Sequence, residues 1–230
     1  MSREHSAAVI RTVATHEVVR SAYPREVTDR DAIGMAAGKA IDSAVTELSH
    51  QFRSHRRPTL AATERLAQET FDDAVAAAMV ELTPEDRAVQ LRQVGGALRA
   101  FRASPLLGLS RPKSRLIVID ERAGVYAQPD YWDGRDRFYE MKSYHADPIP
   151  PDVVLQLTLF QLAFPGFHAV LAEIDRHAEP ARAQLRPIPP VADRERDRVL
   201  RLAREVALAV GQERVLDYVD SPVVRYSLAP

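Results

Sequence analysis

The sequence predicts an α/β protein in which a mixed sheet is flanked by helices. Two observations carry this prediction. Residues 31–104 show a helical period and strong helix formers, whereas residues 112–190 hold short apolar runs separated by turns and one helix. Because the helices come first and strands follow, the early helices are expected to form an added layer on the sheet. With 230 residues, the chain is long enough for one sizeable domain with a buried core.

Composition and charge exclude several classes of protein. The 31 Lys and Arg residues nearly balance the 32 Asp and Glu residues, so any contact with nucleic acid has to come from a local patch. The chain has no cysteine, which excludes disulfides, Cys-ligated zinc, iron–sulfur clusters and thiol nucleophiles. No stretch approaches the roughly 20 apolar residues of a membrane span. The N-terminus also lacks the apolar core of a signal peptide, so we expect a cytoplasmic protein without a membrane partner.

The first half of the chain is expected to be helical. Residues 7–23 fit either a strand or a short helix, and Pro24 ends that segment. The expected helices that follow cover residues 31–52, 59–82 and 83–103. Thr83 and Pro84 are typical of a helix start, as the N-cap and the first helical residue.

The second half is expected to supply the sheet. The expected strands cover residues 114–120, 124–132, 137–144, 168–175, 181–188 and 223–228. The second and third strands are predicted to pair as a hairpin through the polar turn at residues 133–136. Helices are expected at residues 152–164 and 193–212.

The strongest functional signal lies on this predicted hairpin. Asp130 follows Pro129 near the end of one strand, and Glu140 and Lys142 lie two residues apart on the next. Antiparallel pairing would bring Asp130 and Glu140 side by side, and strand alternation puts Glu140 and Lys142 on one face. Two neighbouring carboxylates can hold Mg²⁺ or Mn²⁺, and the carbonyl of Met141 would add a ligand. Lys142 would orient a water molecule or neutralise developing charge.

A cross-strand salt bridge on a solvated face would explain the same residues without any chemistry. Glu-x-Lys is a common pattern. Asp130, however, interrupts a strand that is otherwise apolar or aromatic, where a polar cluster costs free energy unless it is paired or binds a metal. The residue types alone leave both interpretations open.

These residues resemble the motif of the PD-(D/E)XK nuclease superfamily, which here reads Pro129-Asp130 followed by Glu140-Met141-Lys142. On the next predicted helix, Gln156 and Phe160 lie one turn apart and resemble the Q-x-x-x-Y motif of the RecB-like branch, which includes the CRISPR adaptation nucleases. Phe160 keeps the ring of the usual Tyr but lacks its hydroxyl. The resemblance implies a restriction-endonuclease-like fold, with Gln156 orienting the site and contacting DNA.

An upstream segment resembles the first motif of the same family. There a Gly is followed four residues later by a His, and here Gly38 is followed by Asp42. Aspartate suits a hard cation at least as well as histidine. The resemblance therefore implies that Asp42 joins Asp130, Glu140 and the Met141 carbonyl as a metal ligand. The alternative is that Asp42 is a polar edge of an amphipathic helix.

The resemblance also implies a domain organisation. It covers roughly residues 30–175 and predicts a single nuclease domain over residues 1–230. Within it, a helical insertion is expected at residues 53–105 and the catalytic sheet core at residues 112–190.

Basic and aromatic residues near the motifs are candidates for contact with nucleic acid. They are Arg56, Arg57, Tyr131, Trp132 and Phe160. Arginines can track a phosphate backbone, and aromatic rings can stack on bases. A solvated basic surface and a packed core are the alternatives. His145 lies three residues past Lys142 and would either contact substrate or have no function.

The function implied by the resemblance is hydrolysis of DNA by a Mg²⁺- or Mn²⁺-dependent deoxyribonuclease. Exonuclease action on single strands or duplex ends is expected, in DNA repair, recombination or antiviral defence against foreign DNA. A helicase, recombination protein or defence-system protein is the expected partner. One alternative is a nuclease fold that has lost cutting and holds DNA or a partner protein. Another is an unrelated α/β protein with a chance Glu-x-Lys.

Overall fold

The protein is described here by a computed structural model that covers residues 9–54, 59–216 and 222–226. The strands are β1 (Val9–Ala14), β2 (Arg115–Val118), β3 (Ala123–Ala127), β4 (Tyr131–Trp132), β5 (Arg137–Lys142), β6 (His168–Asp175), β7 (Arg182–Ile188), β8 (Gln212–Val215) and β9 (Val223–Arg225). The helices are α1 (Thr15–Ala22), α2 (Asp29–Arg53), α3 (Leu60–Ala77), α4 (Pro84–Arg102), α5 (Pro151–Ala163) and α6 (Asp193–Val210), with a 3₁₀ turn at Pro105–Gly108.

The element order confirms the predicted α/β class with mixed sheets flanked by helices. The segment 7–23, which fitted a strand or a helix, contains both, since β1 is followed at once by α1. The predicted start of α4 is also confirmed, because the hydroxyl of Thr83 accepts a hydrogen bond from the backbone N of Asp86 at 3.1 Å. Among the described residues, no helix combines the length and the apolar character needed to cross a membrane.

The strands form two sheets and not one continuous sheet. The first has the order β8-β1-β3-β2-β9 and the second the order β4-β5-β6-β7. Each sheet is mixed. β1 runs parallel to β3 and antiparallel to β8, while β5 runs parallel to β6 and antiparallel to β4.

The predicted strand 124–132 is therefore wrong in its extent. It is divided between β3 in the first sheet and β4 in the second, so the hairpin joins only β4 and β5. Pro129 lies in the gap, where its missing N–H cannot take part in a ladder of backbone hydrogen bonds. The chain crosses between the sheets here, and Asp130 lies at the crossing.

Alternation along β5 faces its side chains toward two different cores. Phe138 packs with α5 and α6 in one core, whereas Tyr139 and Met141 pack with α2, α3 and α4 in the other. α5 is buried along most of its length and contacts β2, β3 and β6, so it touches both sheets. The helices α3 and α4 fall within the predicted insertion at 53–105, and the division into insertion and catalytic core stays a prediction.

Candidate active site

The β4–β5 hairpin brings Asp130 and Glu140 together. Tyr131 pairs with Tyr139, so Asp130 and Glu140 occupy the next position along the hairpin. Oδ2 of Asp130 accepts a hydrogen bond from the backbone N of Met141 at 2.8 Å. Glu140 is only 4% exposed and Asp130 is half-buried. Two carboxylates thus lie side by side at the point where the chain leaves the first sheet.

Lys142 connects this hairpin with α5. Its Nζ donates to Oε1 of Glu140 at 2.9 Å and to Oε1 of Gln156 at 2.8 Å. Glu140 and Lys142 share a face of β5 as strand alternation predicts, and Gln156 reaches them from the second turn of α5. One continuous set of contacts therefore joins four residues that were predicted from three separate segments: Asp130, Glu140, Lys142 and Gln156.

Burial and neighbouring charges shift the pKa values of Asp130 and Lys142. Burial raises the pKa of Asp130 well above its ordinary value, and the neighbouring charge of Glu140 raises it further. Burial acts to lower the pKa of Lys142, but the charge of Glu140 and its hydrogen bond outweigh that effect and raise it. Lys142 is therefore an ammonium at neutral pH and cannot accept a proton from water.

Asp42 lies near the cluster but pairs with another residue. Arg111 Nη2 lies 3.0 Å from Oδ1 of Asp42, and both side chains are exposed to solvent. The charge of Asp42 raises the pKa of Asp130, so its influence reaches the site. Within residues 9–54, 59–216 and 222–226, no three His, Cys, Asp or Glu side chains lie close enough together to hold a metal ion.

The helix that carries Asp42 passes the end of β5. A Cβ atom added to Gly38 would lie 3.5 Å from Oγ of Ser143, which is an ordinary contact distance. The backbone of α2 therefore comes close to the end of β5 here, but it leaves room for a methyl group. Glycine is not required by packing at this position.

Two of the predicted nucleic-acid contacts are core residues instead. Phe160 is buried and packs edge-to-face on Phe138, with ring centres 6.2 Å apart. Tyr131 is buried against Phe101 at 5.9 Å. Neither ring offers a face on which a base could stack, because Phe160 points from α5 into the core that it shares with β5 and α6, and Tyr131 is covered by the α2–α4 layer.

The other predicted contacts have different outcomes. Trp132 is half-buried beside Phe167, so its predicted contact with nucleic acid stays a prediction. Arg56 and Arg57 lie outside the described residues.

A second buried carboxylate was not predicted from the sequence. Glu173 on β6 is 2% exposed and lies beside Lys142 in the β5–β6 register. Its oxygens contact Nδ1 of His145 at 3.1 Å, the backbone N of Ala146 at 3.2 Å and Nη2 of Arg186 at 3.2 Å. His145 is thus held by Glu173 in the loop that follows Lys142. The same signal that singled out Asp130, an acid within an apolar strand, was available for Glu173.

A cleft of about 900 Å³ opens beside the cluster. Gln156 and Ser143 line it on the side of the hairpin, and Gly38 lines it from α2. Arg176, which was also not predicted, lies on its wall. The cluster therefore has an adjoining space large enough for part of a polymeric substrate.

Comparisons with known proteins add little to this geometry. No protein-family model matches the chain, and no curated protein matches it significantly. Among solved structures, the chain is similar to a protein named SSO0001, with 13% identity, a TM-score of 0.40, and coverage of 92% of this chain and 80% of that one. It is also similar to a protein from Eubacterium rectale named "Putative exonuclease", with 10% identity, a TM-score of 0.41, and coverage of 71% of this chain and 73% of that one.

Proposed function

We propose that this protein hydrolyses phosphodiester bonds in nucleic acid, with DNA as the expected substrate, using a divalent cation bound at Asp130 and Glu140. The observation that carries the proposal is the position of Lys142. Its ammonium bridges Glu140 and Gln156 beside Asp130, and Gln156 in turn lines the cleft. A structural salt bridge would need neither a second carboxylate nor an amide from another element.

The donor atoms of the cluster suit Mg²⁺ or Mn²⁺. Asp130 and Glu140 offer carboxylate oxygens, and the carbonyl of Met141 is the third expected ligand. Burial and the neighbouring charge of Glu140 raise the pKa of Asp130, and a bound cation would offset both effects by favouring the carboxylate. A bound cation would polarise the phosphoryl group and lower the pKa of a water molecule.

Asp42 is proposed as a further ligand that becomes available when Arg111 releases it. Both members of that ion pair are exposed, and exposed pairs contribute only about 0–1 kcal/mol. Releasing Asp42 is therefore inexpensive in comparison with the gain from ligating a divalent cation.

Lys142 and Gln156 act on the reacting groups rather than on the cation. Because Lys142 stays protonated, its role is to neutralise developing negative charge and to orient water. Oε1 of Gln156 accepts from Lys142, which leaves the NH₂ group of that amide to donate toward substrate in the cleft. The RecB-like resemblance supports exonuclease action on single strands or duplex ends, in repair, recombination or defence, with a helicase or similar partner protein.

The proposal is tested by metal binding and cleavage measured separately. Calorimetry with Mn²⁺ should show binding to the wild-type chain that weakens by more than about 100-fold in Asp130→Asn and in Glu140→Gln, exceeding the loss from a residue that only supports a ligand. Asp42→Asn should weaken it less. Lys142→Ala should keep Mn²⁺ binding but slow DNA cleavage by about 10²–10³-fold. Glu195→Gln changes a half-buried acid on α6 that pairs with Arg198; it is the control and should change neither measurement.

Cleavage that persists in Glu140→Gln and Lys142→Ala would overturn the proposal. A second candidate function is a binding module that does not cut, which is favoured by the pairing of Asp42 with Arg111 in place of a three-carboxylate cluster. DNA binding without cleavage at any Mn²⁺ concentration would support that module. Parallel assays with RNA distinguish the two polymers.

A further inference from the structure

Arg176 follows β6 directly and lies at the edge of the sheet where β5 also ends. The two strands are parallel, with Lys142 beside Glu173, so Ser143 and Arg176 both lie beyond their carboxyl ends. Both residues line the cleft, together with Gln156 of the candidate active site. In α/β proteins, ligands commonly bind beyond the carboxyl ends of parallel strands.

Arg176 is buried without a carboxylate partner. The residue is 8% exposed, and no Asp or Glu of the described ranges lies within the 4.0 Å of an ion pair. Its Nη1 donates to the carbonyl of Gly34 at 3.4 Å, and its Nε to Nε2 of His177 at 3.3 Å, both at the long end of hydrogen-bond distances. Burial lowers the pKa of the guanidinium, which nevertheless remains charged at neutral pH. An uncompensated buried charge opposes folding unless a ligand compensates it.

The cleft around Arg176 has more basic than acidic side chains. Its arginines are Arg20, Arg25, Arg30 and Arg176, and its acids are Glu26, Asp31 and Asp152. Two of these acids already have partners: Asp152 pairs with Arg25 at 3.3 Å, and Asp31 accepts hydrogen bonds from Thr28 at the start of α2. A hydrogen bond does not cancel the charge of Asp31, so the four arginines and three acids leave the cleft wall with a net charge of about +1.

We infer that Arg176 forms a phosphate-binding subsite of this cleft and holds a backbone phosphate of the nucleic-acid strand. The planar guanidinium fork can donate two parallel hydrogen bonds to a phosphate, and its shielding from water strengthens them. Arg30 adds positive charge close by, since its charge acts on the adjacent His177, and Arg20 lines the same cleft. The identity of the ligand as nucleic acid rests on the proposed function, whereas the binding of an oxyanion at Arg176 does not.

A structural role for Arg176 makes the opposite prediction about stability. If the bond to Gly34 fastens β6 to α2, then removing the guanidinium should destabilise the chain. If Arg176 is held for a ligand, then Arg176→Met replaces an uncompensated charge with an apolar chain of similar length. The variant should then unfold at the same or a higher temperature than the wild type when no anion is present.

The test uses the full chain without divalent cation. Inorganic phosphate should raise the unfolding temperature of the wild type and have a much smaller effect on Arg176→Met. The affinity for a labelled single-stranded oligonucleotide, measured by fluorescence anisotropy in a chelating buffer, should fall by about 10- to 100-fold in Arg176→Met. Arg176→Lys keeps the charge but not the fork and should lie between the two. Arg87→Met, which removes an arginine paired with Asp72 outside the cleft, is the matched control and should bind as tightly as the wild type.

Two results would overturn the inference. The first is that Arg176→Met binds the oligonucleotide as tightly as the wild type does. That result would show that other arginines on the surface bind the phosphates. The other is a fall in the unfolding temperature of Arg176→Met without phosphate, which would assign a structural role. Failure of the proposed function gives a different pattern, since a chain that never cleaves DNA would still show stabilisation by phosphate that depends on Arg176.

Discussion

At the residue scale, Asp130 shows how the candidate site affects folding. It lies beside the buried Glu140. The ammonium of Lys142 donates a hydrogen bond to Glu140, and its charge also acts on Asp130. A folded chain without a cation therefore favours the neutral form of Asp130 more than an unfolded chain does. Binding a cation and binding a proton at Asp130 are alternatives, which makes the residue sensitive to both pH and metal.

Asp130→Asn is expected to stabilise the metal-free chain at neutral pH. Because the folded-state pKa of Asp130 is raised, its favourable contribution is present in full below the unfolded value of 3.8 and is lost as the pH rises through the folded value. Asn cannot ionise, and its amide oxygen can still accept from the backbone N of Met141. We expect a gain of a few degrees in Tm near pH 7.5, where about 1 kcal/mol corresponds to about 2–4 °C. The gain should shrink as the pH is lowered toward 4.

Thermal unfolding at several pH values in a chelating buffer measures this effect. Asp193→Asn, an exposed acid at the start of α6, provides the comparison and should show little change. Excess Mn²⁺ should reverse the order of stability, because the wild type alone gains from binding the metal. A loss of stability in Asp130→Asn at neutral pH would contradict the assigned cause of the raised pKa.

The position of a residue could be predicted where it depends only on the short segment of sequence around it. Strand alternation and helical phase are properties of short segments, and they are sufficient to put Glu140, Lys142 and Gln156 on the correct faces. The burial of Phe160 depends on packing around α5 by segments distant in sequence, so the sequence did not reveal it. Arg176 was missed for the same reason, since an arginine after a strand is ordinary until α2 is packed against it.

At the scale of elements, the loop after β5 is fastened by its neighbouring strand. The carboxylate of Glu173 on β6 contacts Nδ1 of His145, the backbone N of Ala146 and the guanidinium of Arg186. Arg186 also donates to the carbonyl of Ala146 at 3.1 Å. These contacts hold the chain immediately beyond Lys142, so they fix where β5 ends and how the cluster meets the cleft.

Glu173→Gln is expected to loosen this loop. The substitution keeps the shape of the side chain but leaves Arg186 without its buried counter-charge. We expect a loss of about 2–3 kcal/mol in the free energy of unfolding, less than the roughly 3–5 kcal/mol of a fully buried pair because Arg186 retains some contact with water. Chemical denaturation gives the loss, and amide hydrogen exchange should become faster at residues 143–147.

Glu195→Gln breaks an exposed pair with Arg198 and is the matched control, with an expected loss below about 1 kcal/mol. If the two losses were equal, the Glu173 network would not brace the loop.

The element scale also shows where sequence-based prediction fails. Most helices and strands were predicted, but the separation of β3 from β4 was not, because sheet membership depends on β1 and other strands far away in sequence.

At the scale of the whole molecule, charge has to act locally. A net charge of −1 provides no general attraction for a polyanion, so binding of nucleic acid depends on the cleft and any other basic patch. The cleft is lined by residues of α1, α2, α4 and α5 and by the segments that follow β5 and β6, and it brings Arg176 together with three arginines from residues 20–30. The sequence could not reveal this patch, because Arg176 lies far along the chain from Arg20, Arg25 and Arg30 and joins them only in the folded chain.

The small number of cleft arginines predicts a shallow dependence of binding on salt. Arg25 is shared with Asp152, so we expect about three phosphates to be neutralised. The logarithm of the affinity for a single strand should then fall with the logarithm of salt concentration at a slope of about −2, and that for a duplex at about −3. Anisotropy titrations of labelled oligonucleotides between about 50 and 300 mM salt, without divalent cation, measure both slopes.

Arg176→Met should reduce the single-strand slope by about 0.7, because one phosphate contact is lost, whereas Arg87→Met should leave it unchanged. A slope near zero would show that the cleft does not bind a phosphate backbone. A slope of about −6 or steeper would require a second basic surface, because the cleft supplies too few cations to release that many counterions. The salt dependence therefore decides whether the cleft is the whole of the nucleic-acid interface or one part of a larger one.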